Sequence, residues 1–263
     1  MRNLITLMTD FGDSEGYAGV MKGVMSCINP KAQFIDIAHD VPAHDVFHGA
    51  FVLGTAYGFF PAGTVHLAVV DPGVGSFRKP VAVSAGDHFF VGPDNGVFTF
   101  VLEENEFEAR EIAEEKYTLG GVRTTFDGRD VFAPVASYLS LGVAISEFGP
   151  RIDKPVVLSI PEPESRDDNI EGHVLHVDRF GNIVTNIRMD RYRDALVPGR
   201  FSVRIGASVA DKVMGAYSEG RPGEPFCIWG SHGYLEIAVN GGRASELTGS
   251  VARGEEVIVR FKS

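Results

Sequence analysis

Cysteine is nearly missing from this chain: only Cys27 and Cys227 are present, far apart in sequence. That is too few for a disulfide framework or a four-ligand zinc site, and the two read as small buried residues in a reducing cytosol. Positive charge is also scarce. Lys and Arg total 24 against 35 Asp and Glu, a formal net charge of −11. Non-specific nucleic-acid binding and attachment to an anionic membrane both require a basic face, so neither is expected. An acidic field favours the approach of a cationic substrate such as a sulfonium or an amine, an effect on association and not on fold. No apolar stretch nears the roughly 20 residues that span a bilayer. Met1-Arg2-Asn3 leads into a short apolar run ending at Asp10, without a signal-peptide pattern. Internal repeats and low-complexity tracts are lacking too. The expectation is a soluble, cytoplasmic protein.

What is present has a clear order. With 44% hydrophobic and 22% charged residues over 263 positions, the chain can bury one large core or two modest ones. Leu4 to Met8 reads as a buried strand, and Tyr17 to Ile28 has helical spacing with Ser14 as its N-cap candidate. Phe34 to Ala38 is a strand, Asp45 to Phe59 a helix, and Val65 to Val70 a third strand. Strands at Val81–Ser84 and Phe89–Val91 follow, with helices at Asn95–Glu103 and Val131–Leu141. This alternation predicts an α/β N-terminal domain over residues 1–160 with a mostly parallel sheet.

The composition then changes. Residues 161–169, Pro-Glu-Pro-Glu-Ser-Arg-Asp-Asp-Asn, are charged, proline-bearing and aperiodic, and read as a linker. Beyond it the strands are short and punctuated by glycine: Gly172–Val177, Ile183–Ile187, Phe201–Ile205, Phe226–Ile228, Tyr234–Val239 and Glu256–Phe261. No long helical period follows Arg191. Residues 170–263 are expected to form a smaller all-β C-terminal domain, a barrel or sandwich.

Ligands of open α/β sheets bind at the carboxyl ends of strands. Asp10 and Asp71 occupy two such ends, each followed by a tight glycine-bearing turn, and both also suit ordinary turn or cap roles. Arg78 lies close enough past the Asp71 turn to return and pair with it. Gly73-Val74-Gly75 is neither a dinucleotide fingerprint nor a P-loop, since no Lys-Ser/Thr follows. His39, His44 and His48, beside Asp40 and Asp45, lack a His-Glu-x-x-His pattern, so no metal is expected. Phe126-Asp127-Gly128-Arg129-Asp130 and Asp178-Arg179-Phe180-Gly181-Asn182 are dense loops. An aromatic beside an amide and a carboxylate suits a flat heterocycle; either loop is also a normal turn.

Seven segments in order make these signals collective: Leu7-Met8-Thr9-Asp10-Phe11-Gly12, His39-Asp40-Val41-Pro42, Val70-Asp71-Pro72-Gly73-Val74-Gly75, Gly92-Pro93-Asp94-Asn95-Gly96, Thr125-Phe126-Asp127-Gly128-Arg129-Asp130, Phe180-Gly181-Asn182-Ile183-Val184-Thr185-Asn186 and Ser231-His232-Gly233-Tyr234-Leu235. Across nearly the whole chain they resemble the S-adenosyl-L-methionine hydrolases (SAM hydroxide adenosyltransferases), relatives of fluorinase and chlorinase. The resemblance implies an enzyme without cofactor that takes this small molecule as substrate, yields adenosine and L-methionine, and forms a homotrimer. Its active sites would lie between the N-terminal domain of one subunit and the C-terminal domain of the next. By position it implies that Asp10 holds the ribose hydroxyls, Asp178 takes the methionine ammonium and Ser231 the carboxylate. Asn182 would read the adenine edge, with Phe11, Phe126, Gly128, Phe180 and Val239 completing the substrate pocket.

The same resemblance implies an Asp, an Arg and a His around the attacking water. Asp71 and Arg78 match the first two, but the chain has Asp127 where the histidine of a Thr-Phe-His-Gly-Arg-Asp motif is expected. The expected catalytic set is therefore Asp71, Arg78 and Asp127. Two alternatives follow. One is a non-catalytic binder of S-adenosylmethionine or adenosine, because Asp127 replaces the expected base. The other is a halide-dependent enzyme, opposed by the anionic Asp71, which repels halide, and by the short Val83–Pro93 stretch, which has no room for the fluorinase insertion. Gly128 is compatible with chlorinase, whereas His44 and His232 depart from the Trp and Arg of fluorinase.

Overall fold

The computed structural model describes residues 3–120, 125–166, 168–247, 249 and 251–262. Met1, Arg2 and Asp167 of the expected linker lie outside the described residues. The chain divides into two compact units, Met1–Leu158 and Ser159–Ser263.

The first unit is built from β1 (Leu4–Thr9), α1 (Tyr17–Ile28), β2 (Gln33–Ala38), α2 (Val46–Ala56), β3 (Val65–Val69), β4 (Pro80–Ala85), β5 (His88–Pro93), α3 (Thr99–Glu104), β6 (Phe107–Glu111), α4 (Ala133–Ser140) and β7 (Arg151–Ile152). The strand order is β2-β1-β3-β5-β4-β6-β7. Apolar side chains of β1, β3 and β5 are buried on both faces, as inner parallel strands require. On one face Met21, Met25, Val135 and Leu139 of α1 and α4 pack against Ile5, Leu7, Val65 and Leu67. On the other, Leu53 of α2 and Val101 and Leu102 of α3 pack against Met8, Ala68, Val83 and Phe90.

The sheet is mixed. β2, β1, β3 and β5 run parallel, whereas β4 pairs antiparallel with β5 and β6, and β6 with β7. The cause is a connection too short for a crossover: only Gly86 and Asp87 join β4 to β5, with Gly86 at φ 53, and a two-residue link makes a hairpin. Two local expectations also change. Gly16, in the left-handed region at φ 71, caps α1 in place of Ser14, whose hydroxyl donates to Glu15. Cys227 is buried but Cys27 is exposed.

The second unit carries β8 (Glu164–Arg166), β9 (Asn169–Val177), β10 (Ile183–Arg188), β11 (Phe201–Ile205), β12 (Ser208–Ala210), β13 (Val213–Met214), β14 (Pro225–Trp229), β15 (Tyr234–Val239) and β16 (Glu256–Phe261). They form one nine-stranded sheet, β12-β11-β16-β9-β10-β15-β14-β13, with β8 paired to β9. Residues from both halves of this ladder, among them Val203, Ile205, Val259, Ile183, Ile237 and Cys227, enter a single core, so the sheet curls around it like a half-barrel. Two four-residue helices, Met189–Tyr192 and Ala244–Leu247, occupy its connections. Among the described residues no helix is long and apolar enough to cross a membrane.

A buried polar chain crosses the first sheet. Thr6 Oγ1 lies 2.8 Å from His66 Nδ1, and His66 Nε2 lies 3.1 Å from His88 Nδ1. Burial, then the neighbouring His88, lowers the His66 pKa to about 3, so the folded state holds this ring neutral. An unfolded histidine takes up a proton near pH 6.5. Stability from His66 is thus complete above about pH 6.5 and lost as pH falls toward 3, at about 1.4 kcal/mol per pH unit. Urea unfolding between pH 7 and 4 is expected to show a slope shallower by about one proton in His66→Gln than in the parent chain; identical slopes would remove His66 as the cause.

Candidate active site

The carboxyl ends of β1 and β3 open into a cavity of about 520 Å³. Its lining includes Asp10, Phe11, Glu15, Tyr17, His44, Asp71, Thr125, Phe126, Asp127 and Gly128. The volume is in the range that encloses a small ligand.

The loop after β3 brings three of the sequence-nominated residues together. Asp71 follows β3 by two residues, and the turn through Gly73 is closed by Val74 N–H donating to Asp71 O at 3.2 Å. A Cβ on Gly73 would meet Arg78 Cγ at 3.2 Å, so a small residue lets the arginine fold back across the turn. Arg78 Nε donates to Asp71 Oδ1 and Oδ2 at 2.9 and 3.0 Å, and its Nη2 also reaches Oδ2. The same Nη2 donates to Asp127 Oδ2 at 2.5 Å. One guanidinium therefore bridges two carboxylates, and the Phe132 ring lies 5.3 Å from its carbon. Burial opposes the charge on Arg78, but the bonds and charges of Asp71 and then Asp127 outweigh it and raise its pKa. All three side chains are at most 9% exposed.

Asp127 is delivered by an irregular helix entry. Gly128–Phe132 forms a π-turn, in which Ala133 N–H reaches back to Gly128 O, before α4 continues as α-helix. The N–H groups of Arg129 and Asp130 both donate to Phe126 O at 3.0 Å. Gly128 is needed for space: a Cβ would stand 3.0 Å from the Phe126 ring and 3.2 Å from Met21 Sδ.

Asp10 accepts at 2.8 Å from the backbone N–H of His44, which sits at φ 66, unusual for a residue with a side chain. Phe11, Tyr17 and Phe126 pack edge to face, with centroids 5.3 to 5.8 Å apart. The sequence placed Tyr17 only within a helical spacing and did not nominate Glu15; both line the cavity, on either side of the left-handed Gly16. The three histidines weighed for metal do other work. His39 Nδ1 pairs with Thr9 Oγ1 at 2.9 Å, His44 serves Asp10 through its backbone, and His48 N–H donates to Asp45, the N-cap of α2. Among the described residues no group of three His, Cys, Asp or Glu is placed to hold a metal ion.

The remaining nominated residues belong to the second unit. Asp178 accepts from Asn182 N–H at 2.8 Å and from its side-chain amide at 2.9 Å, closing a turn with Gly181 at φ 84. Phe180, between them, is 74% exposed, a ring presented to the exterior. Ser231 is exposed at the turn joining β14 to β15, whereas the Val239 side chain is buried in the core.

Residues 5–149 match the model of the SAM hydroxide adenosyltransferase N-terminal domain, and residues 172–258 that of the C-terminal domain. An (R)-S-adenosyl-L-methionine hydrolase of Salinispora tropica is 37% identical over 93% of both chains. One of the same name from Methanocaldococcus jannaschii is 36% identical, covering 93% of this chain and 91% of its own. A crystal structure of an uncharacterized conserved protein from Thermotoga maritima superposes with a TM-score of 0.91 at 39% identity, covering 97% of this chain and 99% of that one.

The bridge also has a structural consequence. Removing the cation from between two enclosed carboxylates leaves them uncompensated, so Arg78→Met is expected to lose about 3 kcal/mol in urea unfolding. A stability equal to that of the parent chain would show that Arg78 does not hold the two acids in the fold.

Proposed function

The chain belongs to the SAM hydroxide adenosyltransferase family in both of its domains, and on that premise we propose that it hydrolyses S-adenosyl-L-methionine to adenosine and L-methionine. The observation that carries the reading is the cavity's lining: its formally charged members, Asp10, Glu15, Asp71 and Asp127, are all carboxylates, beside three aromatic rings. Such a lining favours a cation attached to a flat, partly apolar body, which describes a sulfonium nucleoside. It disfavours a halide, which would have to enter beside Asp71 and Asp127.

The reaction makes a simple demand. Water oxygen forms a bond to the ribose C5′ as the C5′–S bond breaks, and the bonding pair leaves with sulfur, turning a sulfonium into the neutral thioether of methionine. No acid has to protonate the leaving group. The water needs orientation and a place for its proton, and we assign both to Asp71. Arg78 fixes Asp71 by three contacts, and Asp127 holds Arg78 from the other side and assists. Positioning of this kind contributes up to about 7 kcal/mol to a barrier. Asp10, anchored by His44, is assigned to the ribose hydroxyls, with Phe11, Phe126 and Gly128 shaping the pocket.

Asp178, Phe180, Asn182 and Ser231 are proposed to complete the substrate site from the C-terminal domain of a neighbouring subunit in a homotrimer, as the family resemblance implies; Val239, whose side chain packs in the core, has only its backbone to offer there. The exposure of Phe180 supports this, since a ring left 74% open has surface for a partner to cover. No cofactor enters the scheme, and the cytoplasm is the proposed location.

Two experiments test these statements. Purified protein incubated with S-adenosyl-L-methionine is expected to release adenosine, seen by chromatography, and Asp71→Ala to abolish release while still binding the substrate in calorimetry. Normal turnover by Asp71→Ala would remove the assignment, and tight binding by the parent chain without adenosine would mark it as a binder. Asp71→Ala and Asp178→Ala subunits, each impaired alone, are expected to regain activity when refolded together, because mixed trimers contain some sites with neither substitution. No recovery in the mixture would rule out shared sites.

A further inference from the structure

Glu236 is the least expected residue of the second unit. It stands on β15 with every neighbour in the strand buried, and is itself 4% exposed. A carboxylate in such a place is costly unless donors reach it, and an aliphatic side chain would satisfy the core alone. Two donors do reach it. The Tyr217 hydroxyl donates at 2.8 Å, and His232 Nε2 lies 2.9 Å from Oε1. The backbone N–H of Tyr234 approaches His232 Nδ1 at 3.3 Å, which leaves the ring proton on Nε2, directed at Glu236.

This network grips one turn. Gly233 N–H donates to Gly230 O and Gly230 N–H to Tyr234 O, both at 2.9 Å, with Gly233 at φ 83, so Ser231 and His232 occupy the corners of a tight hairpin. A Cβ on Gly230 would stand 2.1 Å from Glu236 Oε1 and 2.6 Å from the His232 ring, so the turn's backbone lies directly on the carboxylate. The charge of Asp178 is also felt at Tyr217, whose pKa is raised by burial first, then by Glu236 and by that charge.

We infer that Glu236 is a positioning residue for the aminoacyl end of the substrate. Through His232 it holds the turn that presents Ser231, and Tyr217 braces the same carboxylate from its other oxygen. The inference rests on the proposed function, which gives the methionine carboxylate to Ser231. The placement of that contact is then set by three side chains that touch no reacting atom. Because both ring nitrogens of His232 face donors or acceptors of its own chain, this histidine acts through the turn and not as the carboxylate's ligand.

The test compares S-adenosyl-L-methionine with adenosine, which lacks the aminoacyl arm. Dissociation constants for both are measured by calorimetry, and KM and kcat by adenosine release, in the parent chain, Glu236→Gln and Tyr217→Phe. The expected result is at least a tenfold rise in Kd and KM for S-adenosyl-L-methionine, with kcat changed less than threefold and adenosine affinity within twofold. Tyr217→Phe keeps the ring and the Glu236–His232 pair, so it decides the matter if Glu236→Gln loses its fold. Parallel weakening of both ligands, or weakening of neither, would overturn the inference and reduce the network to a structural anchor. If the parent chain binds S-adenosyl-L-methionine but releases no adenosine, the hydrolytic reading fails while the two Kd values still decide the role of Glu236.

Discussion

A single guanidinium between two acids is the constraint on which the first unit's cavity depends. Arg78 leaves the sheet at the far side of the Asp71 turn, returns to grip Asp71, and reaches across to Asp127 at the start of another helix. Apolar packing already brings β3 and the α4 entry together, but without a cation there the two enclosed carboxylates would repel. With it, one carboxylate on a strand end and one on a helix end become a rigid pair. Asp71 then lines the cavity with its orientation already determined by Arg78.

The substitution of a carboxylate for the histidine expected at position 127 alters that arrangement in a definite way. A histidine beside Arg78 would meet it as a neutral acceptor; Asp127 meets it as a counter-ion. The triplet of Asp71, Arg78 and Asp127 carries a net negative charge where the resembled pattern would be neutral. For a sulfonium substrate this added charge favours entry and opposes the loss of positive charge as the bond to sulfur breaks.

Much of this was legible in the residues themselves, and what was hidden was hidden for physical reasons. Asp10 and Asp71 stand out because two acids follow the ends of neighbouring strands, although either alone suits an ordinary turn, and Arg78 because its spacing allowed a return. The mixed sheet was not read, since two apolar runs such as β4 and β5 look alike whichever way they run, and only the shortness of Gly86-Asp87 betrays the hairpin. β6, Phe107–Glu111, alternates apolar and charged residues only from Phe107 to Arg110, too short a stretch to declare a period. Tyr17 fits the helical spacing of a core position yet turns its ring to the cavity, because burial and ligand contact draw on the same aromatic surface. Glu236 left no mark at all: an acid in an apolar strand shows its purpose only once its donors are in place.

The π-turn at Gly128–Phe132 carries one more implication. A wide turn is an α-helix with one residue too many, and each residue of helix advances the chain by about 100°. Deleting one residue there would let the ladder relax to regular spacing and swing everything before it around the axis. Asp127 would then point about a quarter-turn away from the guanidinium it now meets. The extra residue is thus a phase setting, by which an ordinary core helix aims its first side chain at a neighbour it would otherwise miss.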